Sequence, residues 1–345
     1  MLPNNPTDLT VYDSEVMFEG LDSSNHYGLW ATNGTAAGTQ EMTGIAMANS
    51  SGLNPTDLTV YGNELLFNGY DSNGHHGLWT TNGTAGGTQE LTGIAKANAS
   101  GLNPSDLTVY TSSETLFNGY DSSGHYGLWV TNGTAAGTQE LIGLAPGQST
   151  LNRGIDPSDL TVYNNGTVTD VLFSGLDSRQ LAQLWVTNGT AAGTHELTVA
   201  GAGPGGLQPS DLTVYNNSEV LFNGFDSSGH FQLWETNGTS TGTHELTGIV
   251  GASESGLNPS DLTVYNGEAL FNGYDSSGDD GLWVTNGTSA GTHELTGIVG
   301  AATTGLNPSN LMSYNGEILF NGHNSSGHEG LWVTNGTSAG THLLS

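Results

Sequence analysis

Two sets of acidic side chains recur along this sequence at positions where they could do chemistry. The first lies in a polar string of six residues. It reads Asp22-Ser-Ser-Asn-His26-Tyr27, Asp71-Ser-Asn-Gly-His75-His76, Asp121-Ser-Ser-Gly-His125-Tyr126 and Asp226-Ser-Ser-Gly-His230-Phe231. It continues as Asp275-Ser-Ser-Gly-Asp279-Asp280 and Asn324-Ser-Ser-Gly-His328-Glu329. A carboxylate, a pair of hydroxyls and a ring suit a neutral sugar, because polar groups orient it while the ring covers its apolar face. Asp22, His26, Tyr27, Asp71, His75, His76, Asp121, His125, Tyr126, Asp226, His230, Phe231, Asp275 and His328 therefore form the candidate ligand-binding set. The competing reading is a hairpin turn in which Asp and Ser bond the backbone. The residue after the His changes from copy to copy, which turn geometry alone does not require.

The second set is Asp8, Asp57, Asp106, Asp159, Asp211 and Asp261, with Asn310 at the seventh position. Placed by symmetry, six carboxylates would crowd together and repel unless a cation or hydrogen bonds compensate. A hard cation such as calcium takes several oxygen ligands, so these six are a candidate calcium set. The alternative is that each Asp caps the Pro-Ser or Pro-Thr turn before it. The eleven histidines have no spacing of a metal motif. At the position of His195, His244, His293 and His342 the first three copies carry Gln40, Gln89 and Gln139, which suits a solvated strand face rather than a ligand.

These residues are positioned by a repeat. The seven tryptophans, Trp30, Trp79, Trp129, Trp185, Trp234, Trp283 and Trp332, are spaced by 49, 50, 56, 49, 49 and 49 residues. Seven such units fill the 345 residues, which argues for one domain. Each unit holds four short segments rich in β-branched and aromatic residues and punctuated by Gly, Asn, Ser or Pro. In the sixth unit these are Asp261–Tyr265, Ala269–Asp275, Gly281–Asn286 and Thr292–Ile298. Four strands in seven units describe an all-β, seven-bladed β-propeller with four antiparallel strands per blade. The blades run approximately over 6–54, 55–103, 104–156, 157–208, 209–258, 259–307 and 308–345. Only the long link after the fourth segment can cross a blade, so Asp-Leu-Thr-Val-Tyr is expected innermost and Thr-x-Glu-Leu-Thr outermost. That phase predicts no blade shared between the termini, with closure by side-chain packing between blades 7 and 1. Blade 4 departs from the pattern through insertions at Asn152–Asp156 and Asn164–Asp170 and through Ser178-Arg-Gln-Leu181 in its polar loop. The seven Phe from Phe18 to Phe320 are expected to be core, and so are the tryptophans, for which sugar stacking is the alternative.

At Leu-Trp-x-Thr-Asn-Gly-Thr-x-x-Gly-Thr the chain resembles bacterial repeat proteins with Glu-Leu-Trp-x-Thr-Asp-Gly-Thr-x-x-Gly-Thr units, which occur in large secreted or surface proteins. The resemblance covers all seven units and implies the propeller fold. Two positions depart from it. The Glu is Gly at 28, 77, 127, 281 and 330 and Gln at 183 and 232, and the Asp is Asn in every copy from Asn33 to Asn335. More distantly, the architecture is similar to propeller lectins, which implies one sugar site per blade or between blades.

Composition bounds the partners. Asp and Glu number 33 against three Lys and Arg, a net charge of −30. Phosphate recognition needs basic side chains, so nucleic acid is excluded as a partner. No apolar run reaches membrane-spanning length, so no membrane insertion is expected. Charge repulsion favours a monomer. A near-identical sevenfold surface lacks the unlike acid and base environments that catalysis uses, and no nucleophile motif is present, so no enzyme is expected. The sequence thus predicts a multivalent, non-enzymatic binding module of a bacterial extracellular or cell-surface protein, lectin-like and directed to glycans. The alternative is a structural or adhesion propeller that contacts a protein surface. Neither reading requires a cofactor, and calcium is the one candidate, as a stabiliser of the structural alternative.

Overall fold

The computed structural model describes residues 2–141, 154–164, 169–216 and 218–344. The blade 4 insertions fall partly (152–156) and mostly (164–170) outside the described residues. The chain forms seven four-stranded antiparallel sheets, each made of four consecutive strands in the order first, second, third, fourth. This is the seven-bladed β-propeller expected from the repeat. No sheet combines strands from the two ends of the chain.

The first blade shows the pattern: β1 (Asn4–Tyr12), β2 (Glu15–Leu21), β3 (Tyr27–Thr32) and β4 (Gln40–Glu41). The fourth strand is only two residues long in each blade, shorter than the segment its composition suggested. Three residues past the strand's Glu, Gly44, Gly93, Gly248 and Gly297 take a left-handed φ of 71–75°, while blade 4 has Val199 at that position and an equally short strand.

Cross-strand register builds the core. Phe18 pairs with Trp30 and Phe67 with Trp79, and blades 3, 5, 6 and 7 repeat the pairing. The seven Phe–Trp ring centroids lie 6.1–6.5 Å apart in stacked arrangement. Six of the seven tryptophans are 0% exposed and Trp30 is 4% exposed. Each indole N–H donates 2.9–3.0 Å to the carbonyl of the Gly two residues after the Phe. A Cβ at that Gly would sit 2.7–3.1 Å from the indole edge, so the residue must be glycine for the indole to reach the carbonyl.

The chain divides into two compact units, Met1–Leu160 with Thr187–Thr194, and Thr161–Val186 with His195–Ser345. In the first, Leu66, Leu78 and Leu91 of blade 2 pack on Leu102, Leu107, Phe117 and Trp129 of blade 3. In the second, Tyr215, Leu221, Leu233 and Leu246 of blade 5 pack on Leu257, Leu262, Ala269, Phe271 and Trp283 of blade 6. In both, leucines of one blade pack against the Phe–Trp pair of the next. Among the described residues no helix is long and apolar enough to cross a membrane.

Candidate functional site

The first-strand aspartates sit in a β-bulge. Register slips at this point, for instance between Thr56↔Asn68 and Thr59↔Leu66. Asp8, Asp57, Asp106, Asp159, Asp211, Asp261 and Asn310 all have φ of 55–61°. Asp and Asn tolerate that left-handed region better than other side chains, which accounts for the residue type. The bulge turns the carboxylate onto the next blade. Oδ2 of Asp8, Asp57, Asp106 and Asp211 accepts the N–H of Leu58, Leu107, Leu160 and Leu262 at 2.8–3.1 Å. Asp261 accepts the N–H of Asn310 at 2.9 Å. Two residues on, Thr10, Thr59, Thr108, Thr161, Thr213 and Thr263 donate to the carbonyl of the same Leu position at 3.0–3.4 Å. At the strand end the tyrosine hydroxyls of Tyr12, Tyr163, Tyr215 and Tyr265 donate to hairpin carbonyls of the next blade. Asp-Leu-Thr-Val-Tyr is therefore a row of three side-chain ties between consecutive blades. Burial pushes the Asp57 carboxyl up, and Asp106 and Asp8 add to this; burial likewise raises Asp106. Among the described residues no three acidic or histidine side chains gather as a metal-holding group.

The polar loop is built on one device in all seven blades. Oδ1 of Asp22, Asp71, Asp121, Asp177, Asp226, Asp275 or Asn324 accepts the N–H groups two and four residues later at 2.7–3.2 Å. Blade 4 keeps it without the Ser-Ser-Gly-His string, and there Arg179 also pairs with Asp177 at 2.8 Å. The His26 N–H bond holds the Asp22 carboxyl below its ordinary value, with the Ser24 N–H and the His26 ring assisting against burial. In Asp71 burial pulls upward, but the His75 and Asn73 bonds outweigh it and the net shift is down.

Fold and register split the candidate set in two. Asp22 with His26 and Asp71 with His75 line one side of the sheet, and their ring nitrogens stand 3.9 and 3.7 Å from the carboxylates. His125 stands 4.0 Å from Asp121. The variable next residue begins the third strand and faces the other way. His76 packs at a tilt against Tyr70 at 4.0 Å, Tyr126 against Tyr120 at 4.3 Å and Phe231 against Phe225 at 5.0 Å. His76 is also bonded to Asn68 at 2.9 Å, and the hydroxyls of Tyr27 and Tyr126 accept from Asn5 and Asn103. His230 and His328 enter the loop device through their backbone N–H groups.

On the Asp side the structure opens clefts. They measure about 290 Å³ in blade 1, 380 Å³ in blade 2 and 330 Å³ in blade 6. Each joins the loop Asp and its fourth neighbour (His26, His75, Asp279) to a Glu of the fourth strand (Glu41, Glu90, Glu294) over an apolar wall such as Leu78, Leu91 and Ile94. The glutamates were absent from the sequence-derived set. Their signal was the Glu recurring after Gln or His at the fourth strand, but only folding brings it across the sheet. The Glu side chain lies over the Gly that precedes Leu-Trp: a Cβ on Gly28, Gly77, Gly127 or Gly281 would fall 2.3–2.7 Å from the carboxylate of Glu41, Glu90, Glu140 or Glu294. A side chain at these positions would therefore displace the flexible end of the glutamate. In blades 4 and 5 Gln183 and Gln232 stand there instead and accept the N–H of Leu207 and Leu257 at 3.1 Å. Burial, and then the loop Asp, push the carboxyls of Glu41, Glu90, Glu140, Glu245 and Glu294 up.

No protein-family model matches the chain, and no curated protein matches it. Solved structures do. The chain is similar to a puromycin-hydrolysing peptidase of Mycobacterium tuberculosis, with a TM-score of 0.55 and 12% identity over 98% of this chain and 53% of that one. It is similar to a prolyl endopeptidase with a TM-score of 0.57 and 10% identity over 99% and 50%. It is similar to prolyl oligopeptidase B of Galerina marginata with a TM-score of 0.55 and 9% identity over 99% and 50%. Identities this low show the shared fold alone, and the chain spans about half the length of these proteins. The glycan-binding, lectin-like reading is corrected here: the solved structures that match over nearly the whole chain and are named above are peptidases, not lectins. The geometry gives the physical reason. The Asp meant to orient a sugar holds its own loop through Oδ1, and the ring meant to cover it faces the opposite side of the sheet.

Proposed function

We propose that the chain is a non-catalytic, peptidase-associated propeller that engages protein segments carrying Lys and Arg through its acidic clefts. The observation that carries this reading is the cleft itself, in which a loop carboxylate and a fourth-strand carboxylate face each other over an apolar wall in blades 1, 2 and 6. A Lys or Arg side chain has the complementary form, an aliphatic stem and a cationic head. The charge of −30 supports a basic partner and speeds its encounter at low salt. Repetition lets several weak contacts act together through effective concentration. The peptidase association rests on the fold shared with peptidases and on the chain spanning half their length.

The test is titration calorimetry with an Arg- and Lys-rich peptide and its Glu-substituted counterpart. Binding of the basic peptide alone, weakened by added salt and by Glu90→Gln with Glu294→Gln, is the expected result. Equal binding of both peptides, or of neither at low salt, overturns the cleft reading. Hydrolysis of peptide by the chain alone overturns the non-catalytic part.

A further inference from the structure

We infer that Asn266 and Asn315 are sites of spontaneous deamidation, and that the seven Asn-Gly-Thr turns, though equally rich in the reactive dipeptide, are protected by their hydrogen bonds. Asn-Gly is reactive because glycine leaves the following backbone nitrogen unhindered. The Gly nitrogen attacks the Asn side-chain Cγ and a C–N bond forms. The carboxamide nitrogen leaves as ammonia, carrying the displaced proton. Water then opens the five-membered imide at either carbonyl, giving aspartate or isoaspartate.

Both partners of that reaction are restrained in the Asn-Gly-Thr turns. Oδ1 of Asn33, Asn82, Asn132, Asn188, Asn237, Asn286 and Asn335 accepts the Thr N–H at 3.1–3.2 Å and the Thr hydroxyl at 2.6–2.7 Å. The attacking Gly N–H donates at 3.1–3.2 Å to the hydroxyl of the Thr before the Asn. A further Gly, such as Gly137, packs against the carboxamide so closely that a Cβ there would lie 1.9 Å from Oδ1. The strand pairs, such as Asn118-Gly119, are held in the sheet.

Asn266-Gly267 and Asn315-Gly316 differ. They form exposed two-residue hairpins between Tyr265↔Glu268 and Tyr314↔Glu317. Their φ angles of 51° and 82°, and 50° and 81°, are those of a type I′ turn. No hydrogen bond engages either carboxamide or the following Gly N–H. The damage would reach a blade junction. Gly267 and Gly316 present the carbonyls that Tyr215 and Tyr265 bond at 2.8 and 2.5 Å. Isoaspartate lengthens the main chain by one carbon inside the turn and displaces that acceptor.

The full chain is aged in mildly alkaline buffer and mapped by peptide mass spectrometry. Conversion at Asn266 and Asn315 is expected to outpace that at Asn132 and Asn286 by on the order of tenfold for each hydrogen bond that must be given up. Thr288→Ala, which removes the hydroxyl held by Asn286, is expected to raise conversion at Asn286 alone. Comparable rates at hairpin and Asn-Gly-Thr sites, or earlier conversion in the Asn-Gly-Thr turns, would overturn the inference. Mapping of the unfolded chain in urea is the control, in which all Asn-Gly sites should converge on one rate.

Discussion

Asp57 and Asp71 lie in the same blade and both bond backbone N–H groups, yet they do different work. Asp57 occupies a left-handed bulge and reaches Leu107 in the next blade, 50 residues away. Asp71 closes a loop on Asn73 and His75 within its own hairpin. Burial raises the first carboxyl, with Asp106 and Asp8 adding to it, whereas the loop N–H bonds bring the second down against burial. The Asp57 carboxylate is thus held at an electrostatic cost, whereas that of Asp71 is favoured as an anion. Sequence distance to the donor, not residue type, separates the two roles.

Removing the acceptor while leaving the donor buried is the strongest way to break this comparison. Asp57→Leu orphans the Leu107 N–H and places a residue intolerant of positive φ in the bulge. Urea denaturation should report a loss of about 1–3 kcal/mol from the unpaired donor alone. Asp57→Asn keeps an acceptor and removes a repelled charge, so its midpoint should match or exceed the parent. Equal losses for Leu and Asn would mean that charge, not acceptance, matters here. Asp71→Ala should cost less, about 1 kcal/mol for the lost loop bonds. Asp71→Asn should be nearly silent, because Asn324 already performs this role in blade 7.

Titration sharpens the contrast. A carboxyl raised in the folded state contributes stability that is lost as pH rises through its folded value. A lowered one contributes stability that is lost as pH falls through its folded value. Asp57, Asp106 and the cleft glutamates belong to the first group, as does Glu235, pushed up to about 7 by burial and by Glu219. Asp22, Asp71 and Asp177 belong to the second. Melting temperature should therefore climb as pH falls from neutrality and drop once the loop aspartates protonate, below their ordinary value of 3.8. Glu235→Gln should flatten the upper limb. The smallest effect expected is that of calcium, because the first-strand carboxylates already accept N–H groups. A calcium titration should leave the melting temperature unchanged, and a rise would show that the carboxylates can exchange those bonds for a cation.

Much of this was legible from spacing. Trp30 to Trp332 counted the blades, and Phe18, Leu29 and Trp30 marked the core strands, because two-residue alternation and turn residues are local signals. The fourth strand was overestimated because the residues after Gln40-Glu41 keep a strand-like composition, whereas pairing with the third strand stops at Glu41. The candidate site was half legible. The loop Asp and His26 or His75 do meet in a cleft, but Tyr27, His76, Tyr126 and Phe231 lie one residue on and so face the other side of the pleat.

By itself the sequence determined the repeat, the strand order within each blade, the turn chemistry of Asn-Gly-Thr and the strongly anionic character. These depend on neighbours within a few residues or on composition. Only the tertiary structure decided what Asp57 bonds, that Glu90 lies over Gly77 and that Glu90 shares a cleft with Asp71. Each of those facts joins residues across strands or blades, and a contact across a sheet leaves no trace in the spacing of one chain.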